Sequence, residues 1–424
     1  MKKNYLPVIL AVITVLFSLN SSAQNSYVNQ VIVGSGGNFS NPDEHVMLST
    51  YNPSDESTTF FGEVFTQSIQ DIVISGEFAY IAAQDSIVKI NIDNFSKVLA
   101  VEAIGVNQLL VHENVVFATF QYPATDNFVQ VFSANNLEHI TNIANIADES
   151  AGMVIVDDNL YVAVPGGWTS TTGAIAIINL DEYLLITQIQ LGTEGIGVFD
   201  LFVSDGKIMS VNRTPYMGTT GYISTMSVMG SQVSSNIINE VIGKYAGVQN
   251  NILYTVMNNG IGAINLSDFS VIDNSIVDPI NNTIAAVELD TVNQNFYVTS
   301  TDYFSMGDGT VYDMAGEAIG TFEANISPDA LAIDYRDNTS VSENDLIIST
   351  VYPNPASHTI NIDSELTSIS KYKILDITGR IVKKNSINEI SGNFSVNISD
   401  LNSGVYIIQL ANENSVSSTR FIKN

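Results

Sequence analysis

The chain has 424 residues, no cysteine and a formal net charge of −29. Without cysteine there are no disulfides, no thiolate metal ligands and no cysteine nucleophile. So acidic a surface repels phosphate backbones, which sets nucleic acid aside as a partner.

Hydrophobic residues make up 45% and charged ones only 14%. The polar surface must then be largely Asn, Ser, Thr and Gln, as in a neutral-faced β-protein. The charge is uneven: residues 24–343 hold 6 basic and 37 acidic side chains, residues 344–424 hold 7 of each.

At the N-terminus Lys2 and Lys3 precede an apolar run over 5–19, and Ser21-Ser22-Ala23 puts small residues before Gln24. That order reads as a secretory signal over 1–23, cleaved between Ala23 and Gln24. The run is short for a membrane helix, which needs about 20 residues, and no later stretch approaches that length, so no transmembrane span is expected.

From residue 24 to 338 the chain repeats. Asp71-Ile-Val-Ile-Ser-Gly-Glu-Phe-Ala-Tyr80 is one copy, and Gly152-Met-Val-Ile-Val-Asp-Asp-Asn-Leu-Tyr161 is another. Each is a short apolar strand, a polar turn, and a second strand with a large side chain. That slot holds Tyr80, Phe117, Tyr161, Met209, Tyr254 and Tyr297, at steps of 37, 44, 48, 45 and 43 residues. Two further strands follow in each unit, at 86–92 and 97–103 in the first and at 174–179 and 184–191 in the third. A period near 40–50 with four short strands per unit predicts a β-propeller.

Six units begin near residues 70, 107, 151, 199, 245 and 284. A seventh inner strand, 330–336, lacks downstream partners. The segments 28–33, 45–51 and 58–65 supply them, so N-terminal strands complete the last of seven blades and remove two free sheet edges. The copies starting at Ala151 and Ala174 resemble the YncE-like propellers. That resemblance implies a functionally mixed family, some of whose surface members capture corrinoids.

Residues 339–349 read as a linker. After them Tyr352-Pro353-Asn354-Pro355 blocks strand pairing and fixes a turn. Alternating strands follow at 359–362, 372–377, 394–398, 405–410 and 417–422, with turns at Asp376–Gly379 and Leu401–Gly404. This predicts a small immunoglobulin-like β-sandwich over 350–424. Tyr352-Pro-Asn-Pro355, Asp376 to Gly379, Gly404-Val-Tyr406 and Arg420-Phe-Ile-Lys423, in that order, resemble the C-terminal sorting domain of type IX secretion substrates. The resemblance implies periplasmic transit, the type IX machinery as partner, and display at the cell surface or release.

Catalytic motifs are missing. The four histidines form no His-Glu-x-x-His pattern, and no Gly-x-Ser-x-Gly elbow or phosphate loop occurs. No metal, cofactor or catalytic residue is expected. The loops joining second to third strands are long in several units: 121–127, 165–173, 212–221 and 301–309, with 35–44 in the closing blade. They carry Tyr122, Trp168, Tyr216, Met217, Tyr303, Phe304 and Met306, and Trp168 is the only tryptophan. Large apolar side chains on exposed loops cost solubility unless they meet something. They form a candidate ligand platform, with Arg213 beside it for an anionic group or a neighbouring carboxylate.

The expectation is a monomeric surface-binding protein for a small molecule, such as a corrinoid, or a glycan. An enzyme with a non-motif active site at the propeller mouth and a structural or adhesive surface protein are the alternatives.

Overall fold

The computed structural model describes residues 26–38, 40–41, 43–337, 349–364, 369–377, 380–390, 393–411 and 416–424. The expected signal at 1–23 with its Ala23/Gln24 cleavage site lies outside them, as do nearly all of the expected linker at 339–349, and Gly379. Two compact units meet at Asp337/Asn338.

The first unit holds seven antiparallel four-stranded sheets. Six run in sequence order over 71–102, 106–142, 153–192, 198–238, 242–277 and 283–326 (blades 1 to 6). The closing blade takes its inner strand, Ala330–Asp337, from the far end of the unit. Its other three strands are Ser26–Ser35, Val46–Asn52 and Ser57–Val64. Ser26–Ser35 pairs with Ala330–Asp337 from Ser26↔Asp337 to Gly34↔Ala330. Among the described residues two 3₁₀ turns, Thr193–Gly195 and Val228–Gly230, interrupt the strands.

The repeat explains why the ring packs. The large slot falls in the second strand of each blade, where Tyr80, Phe117, Tyr161, Met209, Tyr254 and Tyr297 are all buried between sheets. Outer strands alternate instead: Ser96–Glu102 is largely exposed, whereas its neighbour Ser86–Asn91 is almost wholly buried. The second and third strands of the blades carry most of the core, and the fourth carries the polar surface.

The closing blade is also tied by side chains. Asp334, 1% exposed, accepts from Arg336 Nε at 2.6 Å, Asn29 Nδ2 at 2.9 Å and Gln30 Nε2 at 3.2 Å. Gln30 donates further to Ile92 O of blade 1 and accepts from Thr50. Arg336 reaches Asp93 of blade 1 at 2.8 Å.

The second unit is a sandwich of a three-stranded and a four-stranded sheet. Ile360, Ile362, Ile374, Ile408, Leu410 and Phe421 fill its core. Tyr372, Tyr406 and Phe394 belong to that core and not to a surface platform. Two strands escaped the sequence pattern, Ser349–Tyr352 and Ile381–Ile390. The motif residues at its two ends are neighbours in space. Asn354 Oδ1 accepts from Ile422 N–H at 2.9 Å, and Ala356 N–H donates to Ile422 O. Tyr406 donates its hydroxyl to Asn402 O at 2.9 Å.

Candidate functional site

The long loops present their rings to solvent. Trp168 is 94% exposed, Tyr216 and Met217 87%, Tyr122 80% and Phe304 68%. Tyr303 and Met306 are less exposed. None of the five rings packs on another aromatic ring among the described residues. A lid of loops packed on one another would have buried them.

Arg213 stands apart from the rings. Asp200 takes its guanidinium bidentately, at 3.1 Å to Nε and 2.9 Å to Nη2. The guanidinium carbon also lies 3.6 Å from the centre of the Phe199 ring. Of the two partners open to Arg213, the structure supplies the neighbouring carboxylate, because Asp200 enters the inner strand of the same blade.

Below the loops, on the propeller axis, lies a cavity of about 300 Å³. Every blade but the third lines it: Asp71, Gln108, Asp200, Lys244, Glu288 and Asp329 are the principal groups. Gln121 and Arg213, at the roots of two long loops, also line it, so the cavity opens on the long-loop face. Just before blade 3 stands Gly152, where a Cβ would lie 2.4 Å from Phe199 O.

The sequence reading missed this cluster, yet the repeat encodes it. Nine residues before each large slot stand Asp71, Gln108, Gly152, Asp200, Tyr245 and Glu288. The polar members of that register all face the axis. A search for histidines and motifs could not find a site built from one residue per repeat.

Burial, and after it the neighbouring charges, perturbs these groups. Burial pushes Glu288 up to about 8, helped by the charges of Asp71 and Asp200. Burial likewise pushes Asp71 up to about 7, against the opposing N–H donations of Leu109 and Ile72. Asp329 rises to about 6 through burial, offset by Lys244. Burial and then Arg213 lower Lys244 to about 8. Tyr245 is raised by burial, then by Glu288 and Asp200. Tyr303, on a long loop, is raised by burial and by Asp329, which places its hydroxyl within electrostatic reach of the cavity.

Lys244 Nζ donates to Ala285 O and, at 3.2 Å, to Asp329 O. No donor among the described residues reaches the carboxyl groups of Glu288 or Asp329. No three His, Asp or Glu side chains among those residues are placed to share one metal ion.

A larger groove, about 920 Å³, runs along the outer part of blade 6 past Asp308, Phe322 and Glu323. It lacks the convergence of charge found on the axis.

Residues 350–424 match the family model of the secretion system C-terminal sorting domain. The tail is a sorting domain. It takes the protein through the type IX secretion system to the cell surface or the extracellular space, with that machinery as its partner. Residues 68–101, over the first full blade, match the LVIVD repeat. Among curated proteins none matches the chain.

The solved structures agree on the fold alone. A candidate 6-phosphogluconolactonase from Bacteroides fragilis is similar at 11% identity and TM-score 0.53, covering 72% of this chain and 98% of its own. A Lactobacillus plantarum protein is similar at 12% identity and TM-score 0.53, covering 73% and 100%. Hydrazine synthase of Kuenenia stuttgartiensis is similar at 11% and TM-score 0.50, covering 61% and 90%. Among the described residues no helix is long and apolar enough to cross a membrane.

Proposed function

We infer that the protein is a non-enzymatic binding propeller, acting as a monomer, whose ligand rests on the long-loop face. The observation that carries this is the exposure of Trp168, Tyr216, Tyr122 and Phe304 on loops around the axial cavity. Exposed rings of that size favour a ligand with flat apolar faces, a glycan or a small ring-containing molecule. A corrin macrocycle exceeds a 300 Å³ cavity and would lie above it on the rings.

Trp168 is the only tryptophan, so its fluorescence reports on this face alone. A glycan array and a small-molecule panel on the full chain identify the ligand. Trp168→Ala is then expected to weaken its binding by about tenfold or more. The unfolding free energy should move by less than about 0.5 kcal/mol, because a side chain this exposed supports little packing. A ligand that leaves the fluorescence unmoved and binds Trp168→Ala unchanged overturns the reading.

A further inference from the structure

We propose that the outer face of the four-stranded sheet in the sorting domain is the surface on which the type IX machinery docks, through a partner patch with an apolar centre and an acidic rim. This goes beyond the ligand reading above and is independent of it.

The four strands lie side by side in the order Ile381–Ile390, Ile369–Asp376, Gly404–Ala411 and Val416–Lys423. Tyr372, Ile374, Tyr406, Ile408 and Phe421 turn into the sandwich core, so the residues between them point outward. Register sets those outward side chains in rows. Ile381 pairs with Leu375, Leu375 with Ile407, and Ile407 with Arg420. In the next row Val405 faces Ile422. Ile377 follows just past its strand. All the apolar members are exposed except Leu375, which is half-buried. Paired strands stand about 4.8 Å apart, so these side chains form one contiguous patch.

Basic residues flank the patch. Lys373 pairs with Lys384, and Lys371 stands two residues before Lys373. With Arg420, four of the seven basic residues of the tail share this face, and all four are exposed. None of them has a carboxylate partner among the described residues, whereas Arg380 and Lys383 hold Asp376 and Asp400. Like charges directly opposite each other, as at Lys373 and Lys384, oppose strand pairing. These lysines therefore give the fold nothing, and their use lies outside it.

The edge of the last strand is already taken over its final residues. Asn354 accepts from Ile422 N–H and donates to Arg420 O, and Ala356 N–H donates to Ile422 O. A partner adding a strand there would break those bonds, which leaves the open face to be read.

Charge selects the occupant. An acidic protein patch with an apolar centre complements this face and, being local, is screened from distant charge beyond a Debye length of about 8 Å. A second copy would set lysine against lysine. An extended phosphate-rich lipid surface would also meet the rest of a chain whose net charge is −29. The matched domain is moreover the part of the chain that the secretion machinery takes.

The test expresses the full chain in a type IX-competent bacterium and compares the periplasmic, cell-surface and medium fractions by immunoblot. Val405→Ser with Ile407→Ser should cut the exported fraction by roughly tenfold, the scale for losing interface anchors, and leave the chain in the periplasm. Lys373→Glu with Lys384→Glu should act in the same direction, and Lys373→Arg with Lys384→Arg should export normally. Thr359→Glu, an exposed change on the other sheet, should also export normally. Purified variants should keep the urea midpoint of the parent. Should the apolar variant fail to fold, the charge reversal at two exposed lysines decides.

Normal export of the folded variants overturns the proposal, as does equal retention of Thr359→Glu. Unchanged export with loss from the cell surface into the medium overturns it too and assigns the face to surface phosphate groups. A dimer of the full chain in sedimentation, dissolved by Ile407→Ser, assigns the face to a second copy instead. Trp168→Ala should export as the parent does, so this proposal and the ligand reading fail separately.

Discussion

Replacing Asp334 with alanine is expected to destabilise the propeller by about 3 kcal/mol, the scale for removing one partner of a buried charged pair. The carboxylate is 1% exposed. It gathers donors from Arg336 on its own strand and from Asn29 and Gln30 on the N-terminal strand. Alanine leaves those donors facing a void, and Arg336 keeps only Asp93. Urea unfolding of the full chain followed by circular dichroism reads the loss. Asp334→Asn retains an acceptor oxygen and should cost less than Asp334→Ala. A loss below about 1 kcal/mol for Asp334→Ala would show that strand pairing alone holds the ring shut.

Tyr297→Ala should cost more, about 3–5 kcal/mol, the range for emptying a large aromatic site in a core. Tyr297 is fully buried in blade 6. Its ring meets Tyr51 of the closing blade edge-on, with centroids 6.1 Å apart, and Phe322 at 6.5 Å. Tyr51 in turn stacks on Phe322 at 5.0 Å. The three rings join blade 6 to the closing blade, so the void opens at the seam between them. Tyr297→Phe keeps the ring and should lose only about 1 kcal/mol. Equal losses for the two variants would assign the stability to the hydroxyl and not to the packing.

Tyr297 also shows what the sequence made legible. Its recurrence with Tyr80, Phe117 and Tyr161 defines the repeat, and the repeat defines the blades, because burial between sheets selects a large side chain at one register. Blade closure was legible for a similar reason: the strand at 330–336 had no downstream partner, and unpaired ladders must pair somewhere. In the tail, Ile381–Ile390 was missed because its start, Ile-Val-Lys-Lys-Asn, lacks the period-2 alternation of a half-buried strand.

The candidate site was legible only at its rim. Trp168 and Tyr216 stand out as rings among Gly, Ser and Thr, a local signal. Glu288 carries no local signal. It sits between Val287 and Leu289 in what reads as an ordinary strand, and a register shift between Ile284 and Ala286 sets its position against Tyr297. Arg213 was noticed for its rarity, but its partner Asp200 depends on the fold bringing the entry of one strand beside the exit of the next.

The split closing blade has a consequence for timing. Ser26 and Asp337, bonded to each other, lie 311 residues apart. At about 5–20 residues per second of synthesis, the first strand waits roughly 15 to 60 s for its partner. Six blades can form in that interval, but the ring stays open until the strand ending at Asp337 is made. The sorting domain follows directly, from residue 350. A chain cut short before its ring can shut therefore also lacks its export passport, and truncated products stay behind.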